Sequence, residues 1–176
     1  MSRMVRENQA SGLRERLFFA QWTLRELRRR QQDNAPRGEL LAQRAAVIFH
    51  LYSTVVGLAR QALRSQPDVL AARHISLAEI ERAAAQGDLQ APELALIAEA
   101  RADRRDPLSW LDEEALSLFA ASGLARRPQA PVENSLALAA EDPYAVLASG
   151  DMERLAQAVA RVQRLLDEAA SLMEEW

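Results

Sequence analysis

The segment from Ala45 to Ala59 reads AAVIFHLYSTVVGLA and holds no charged residue between Arg44 and Arg60. A helix that is apolar nearly all round has to be covered on most of its sides. Long amphipathic segments precede it and close the chain, so the sequence predicts an all-α fold packed around one central helix. The 176 residues are enough for a single helical-bundle domain, 1–176, with a sizeable core.

The flanking pattern gives the other elements. Leu13, Leu17, Ala20, Leu24 and Leu27 alternate steps of four and three, the stripe of a core-facing helix over about Arg6 to Gln32. Asn34-Ala-Pro-Arg-Gly38 breaks it, because proline lacks the amide donor and glycine favours a turn. The second helix should run from about Glu39 to Ser65, ended by Gln66-Pro67. Ser76-Leu-Ala-Glu79 is a capping box opening a helix that Gly87 stops. Pro92 suits the first turn of a helix through Ala102, and Asp106-Pro107 opens another that ends before Gly123. A loose stretch, Ala125 to Asn134, leads to a short helix near Ser135–Ala140 and a turn at Asp142-Pro143. Asp151 then suits the N-cap of a last helix, whose stripe is Leu155, Val159, Val162, Leu166, Ala169, Met173 and Trp176. The expected architecture is a bundle of three long helices plus several short helices in the middle section. Gly57, which costs about 1 kcal/mol inside a helix, should mark a close helix crossing.

Composition limits the chemistry. The chain has no cysteine, and all 22 basic residues are arginine. Disulfides, thiolate zinc sites, a cysteine nucleophile, Schiff-base chemistry and a P-loop lysine are therefore excluded. The two histidines, His50 and His74, cannot make a histidine-rich metal site, and no Glu-x-x-His pair suits a di-iron bundle. Glycines stand singly, no serine has a hydrolase-elbow setting, and no metal or cofactor is expected. The carboxylate pairs Glu113-Glu114 and Glu174-Glu175 read as exposed. The N-terminal MSRMVRENQASGLRER lacks the apolar core of a signal peptide. The central uncharged run, 15 residues, is short of the roughly 20 that span a bilayer. A cytoplasmic protein without a membrane role is the expectation.

Charge is divided along the chain. Residues 1–75 hold 13 arginines against 6 acids, and residues 76–176 hold 9 against 19, within a total of −3. Arg14, Gln21, Arg25 and Arg28 share a stripe of helix one, with Arg29 and Arg30 adjoining. Such a face can bind RNA, DNA or an acidic partner. The favoured expectation is plainer: the basic half docks on the acidic half, and the rest is solvated helix.

Phe18 and Trp22 lie away from the Leu13–Leu17–Leu24 stripe. Either the short middle helices cover them, which is the expectation for a lone domain, or they form an exposed patch for a protein partner or a homo-oligomer. Trp110 and Trp176 read as packing residues at helix ends.

Arg44 and His50, with Tyr52 following, are spaced in a way that resembles the arginine–histidine signature of the four-helix HEPN ribonucleases. That resemblance implies an RNA-cleaving site built from Arg44 and His50, usually across a dimer interface. HEPN proteins commonly place a polar residue after the arginine, where this chain has Ala45. The two side chains also project about 120° apart on a helix. The alternative is a half-buried His50 hydrogen-bonded within the bundle to Ser53, Thr54 or a middle-segment residue, with His74 in solvent. Arg6-Glu-Asn-Gln9, Phe49-His50-Leu51, Pro92-Glu-Leu94, Ser109-Trp-Leu111 and Glu175-Trp176 together resemble an uncharacterised all-helical family of gammaproteobacteria. The resemblance implies a cytoplasmic helical domain and carries over no activity, cofactor or catalytic residue.

The leading expectation is thus a non-enzymatic bundle acting through a protein partner or self-association, with Phe18, Trp22, Arg14, Arg25 and Arg28 as binding residues. An RNA-binding or RNA-cleaving bundle is the alternative.

Overall fold

The computed structural model describes residues 3–64, 75–119, 147 and 150–174, with side chains for 11–64, 75–119, 147 and 150–172. Met173, His74, Trp176 and the expected elements between 125 and 143 lie outside the described side chains, as do Glu174 and Glu175. Among the described residues there are six helices and no strand: α1 (Arg3–Gln32), α2 (Arg37–Ala62), α3 (Leu77–Gln86), α4 (Pro92–Ala102), α5 (Pro107–Ser117) and α6 (Asp151–Glu174).

Local chemistry accounts for the boundaries. Asn34 takes a left-handed φ of 53° in the turn after α1, a conformation its short polar side chain tolerates. Pro36 caps α2, so Gly38 falls inside its first turn and not in the break where it was expected. At α3 the Ser76 hydroxyl accepts from the Glu79 amide, and the Glu79 carboxylate accepts from the Ser76 amide, both at 3.3 Å. Pro92 and Pro107 occupy first turns, where the missing amide costs nothing. α5 stops at Ser117, before Gly123 as expected, and α2 stops at Ala62, short of Ser65.

The uncharged segment is the hub. α2 packs against each of the other five helices, most extensively α1. Val47, Ile48, Leu51, Val55 and Leu58 are buried, as are Leu13, Leu17, Ala20, Leu24 and Leu27 of the α1 stripe. Leu155, Val162, Leu166 and Ala169 of α6 join the same core with Leu165 and Ala158. By length and composition, α2 as a whole would also suit a membrane span; the helix is 26 residues long, well beyond the uncharged run that seemed too short. Gly57 does mark a close crossing: a Cβ there would stand 2.6 Å from Leu13 Cδ2 and 2.8 Å from Arg16 Nη1.

Three arginines tie the helices together inside the fold. Arg44 of α2 donates from Nε to Asp151 at 3.0 Å and from Nη2 to Glu114 at 2.8 Å. Asp151 is the first residue of α6 and is wholly buried. Its carboxylate accepts from Arg44, and as the first helical residue it stands one place inside the expected N-cap position. Glu114 is likewise half-buried and paired, while its neighbour Glu113 is exposed. Arg101 of α4 pairs with Asp112 at 2.6 Å and with Glu81, and Arg161 of α6 pairs with Asp106 at 2.7 Å. Tyr52 completes the set, donating to Asp112 and accepting from the Leu77 amide, both at 3.1 Å.

Candidate binding surface

The outer side of the α1–α2 pair carries an uncovered row of rings. Phe18 and Trp22 are adjacent on α1 because four residues make just over one helical turn. They are 53% and 54% exposed, so the three short helices that are described do not provide the expected cover. The reason is geometric: α3, α4 and α5 pack on α2, and the long helix that also meets α1 is α6.

The row continues onto α2. The Phe18 and Phe19 ring centroids are 6.1 Å apart, Phe19 and His50 5.6 Å, and His50 and Phe49 5.8 Å. Phe49 and Phe19 are 54% and 41% exposed. These separations lie within the range of favourable ring contacts. Trp22, Phe18, Phe19, His50 and Phe49 thus form one aromatic strip crossing the seam between the two helices. Neither Phe19 nor Phe49 stands out in the sequence. The usable signal was the antiparallel hairpin itself, which brings the middle of α1 against the middle of α2.

His50 sits within this strip. Its backbone carbonyl accepts from Ser53 Oγ at 3.0 Å and Thr54 Oγ1 at 2.7 Å. The expected involvement of those two residues is therefore with the helix backbone, and the ring itself is held between Phe19 and Phe49. Partial burial pushes its pKa below the ordinary histidine value, which keeps the strip uncharged at neutral pH.

The structure separates Arg44 from His50. The guanidinium lies in the interior, committed to Asp151 and Glu114, while the imidazole is at the surface of the α1–α2 seam. Burial disfavours the charged guanidinium, but the hydrogen bonds and charges of Asp151 and Glu114 outweigh it and raise the Arg44 pKa. Within one chain the two residues make no joint site.

Arg14, Arg25 and Arg28 are all exposed on α1. Arg29 and Arg30 differ: both bind Glu26, and they reach Asp33 and Glu39 respectively. Hydrogen bonds from Arg29 and Arg30 hold the Glu26 carboxyl down at about 2. Among the described residues Arg44 joins the basic half to the acidic half through Glu114 and Asp151, while on α1 Arg29 and Arg30 pair locally and Arg16 reaches the Ser53 carbonyl of α2. Among the described residues no three histidine, aspartate or glutamate side chains gather as metal ligands. The chain matches no family model, no curated protein and no solved structure.

Proposed function

We propose that this chain is a bundle of three long helices, braced by shorter ones, that acts in the cytoplasm by docking another protein on its aromatic strip and performs no chemistry of its own. The continuous exposure of Phe18, Phe19, Trp22 and Phe49 beside His50 carries this reading. Fully burying one such side chain is worth roughly 1.5–3 kcal/mol, and about half of that is left unrealised at each of these half-exposed rings. Trp, Phe and Arg are also the residues enriched where proteins meet. A nuclease of the HEPN kind would need Arg44 released from two carboxylates, so the arrangement favours binding over catalysis.

The test is capture from nuclease-treated lysate on the immobilised chain and on Phe18→Ala/Trp22→Ala. Both substitutions are at the surface, so the melting temperature should hold. Capture of a defined protein by the parent chain, lost in the variant, is the expected result. Equal capture by both, or a Trp22 whose fluorescence is already shielded from quencher in the free chain, would overturn the proposal.

A further inference from the structure

One edge of the ring strip is bordered by arginine, while exposed Glu15 stands on the ring side. At about 100° per residue, Trp22 and Phe19 turn from Phe18 toward one side of α1, where Phe19 meets His50 of α2. Arg25, Arg14 and Arg28 turn to the other side. Arg14, Arg25 and Arg28 make no ion pair among the described residues, whereas Arg29 and Arg30 are neutralised by Glu26, Asp33 and Glu39. Exposed Glu15 is the local counterweight. An apolar strip therefore lies beside a row of free guanidinia that spans about 21 Å from Arg14 to Arg28 at the helical rise.

We infer that the strip, on the docking reading above, receives an amphipathic helix of another protein with a row of acidic side chains along one edge of its apolar face. Apolar anchors at helical spacing would fill the aromatic strip, as in helix-in-groove recognition. Carboxylates beside them would meet Arg14, Arg25 and Arg28 in charge-assisted, fork-shaped hydrogen bonds.

A second copy fits this surface poorly. A two-fold axis near Phe18–Trp22 sets Arg14 of one copy beside Arg25 and Arg28 of the other, and like charges facing each other oppose docking. The outward side of α6 could offer acids, but its apolar stripe is buried in its own core. Nucleic acid fits poorly as well. Neighbouring rings are inclined at 51°, 59° and 69°, packing on one another instead of offering parallel platforms for successive bases.

The experiment follows Trp22 emission in the full chain carrying Trp110→Phe and Trp176→Phe. Three probes are titrated: a helical peptide of about four turns with leucine anchors and a glutamate row, the same peptide with lysines for the glutamates, and a twelve-nucleotide oligo(U). The acidic peptide should bind at least about tenfold more tightly than its lysine counterpart and shift Trp22 emission to the blue. R14E/R25E/R28E should reverse that preference, because the row of charge is what is being read. Equal affinity for both peptides would remove the acidic class and leave apolar docking standing. Tighter binding of oligo(U), or a doubled solution mass with Trp22 shielded before any addition, would overturn the inference in favour of nucleic acid or a second copy. If neither peptide binds while lysate capture still depends on Phe18 and Trp22, the inference alone falls. If capture is also indifferent to those residues, the docking reading falls with it.

Discussion

Arg44 joins two parts of the sequence that are 107 residues apart, reaching from α2 to the buried first residue of α6. Truncation would take the Arg44 guanidinium from a carboxylate that has no exposed surface, and breaking a buried pair typically costs about 3–5 kcal/mol. Arg44→Ala should lower unfolding free energy by that amount in urea titration, and Arg44→Ala/Asp151→Ala should recover part of it. A loss below about 1 kcal/mol would mean that the pair is solvated. Tyr52 gives a second test. Burial pushes its hydroxyl up to about 12, above the ordinary value near 10. The stabilisation linked to this shift is complete below the unfolded value and is lost as pH rises through about 12. Absorbance titration of the parent chain against Tyr52→Phe should show a late ionisation missing from the variant; a difference between the two that titrates near 10 would contradict the part-buried bond to Asp112. Residue chemistry of this kind was hidden in the sequence. Arg44 attracted notice for its spacing from His50, but its partners are set by tertiary packing, which local spacing does not encode.

Elements were far more legible, because their causes are local. The α1 stripe, the Ser76–Glu79 box and the prolines at Pro92 and Pro107 each act within one or two turns of themselves. α2 departs from its expected bounds at both ends, taking in Gly38 and stopping at Ala62, while α5 ends before Gly123 as expected. Gly57 shows a local signal with a long-range cause: an unfavourable residue in a good helix marks where α1 comes close. A larger side chain there must displace its neighbours, since Leu13 Cδ2 and Arg16 Nη1 lie inside the contact distance of a Cβ. Arg16 is also held by its bond to the Ser53 carbonyl at 2.9 Å. Gly57→Leu should therefore separate α1 from α2 and cost about 1–3 kcal/mol, despite the better helix propensity of leucine. A thermal midpoint equal to the parent's would show that the crossing is looser than these distances. Because the aromatic strip straddles the same seam, this variant should also weaken capture of the docked protein.

At the scale of the whole molecule, the divided charge and the aromatic strip belong to different jobs. The basic first half and acidic second half invite the idea that long-range attraction assembles the bundle. The observed joints are instead a hydrophobic core shared by α1, α2 and α6, with a buried pair at Arg44 and part-buried pairs at Arg101 and Arg161. Salt screens exposed charges over about 10 Å at 0.1 M but acts weakly on buried pairs. Urea midpoints measured at 0.05 M and 0.5 M NaCl should accordingly give unfolding free energies within about 1 kcal/mol of each other, with unchanged slopes. The docked complex should respond differently, since Arg14, Arg25 and Arg28 stand in solvent, and its affinity should fall over the same salt interval. A fold that lost several kcal/mol in 0.5 M NaCl would instead show that surface attraction between the halves assembles the bundle. The α1 arginines would then be structural, and their exposed row would no longer argue for an acidic partner.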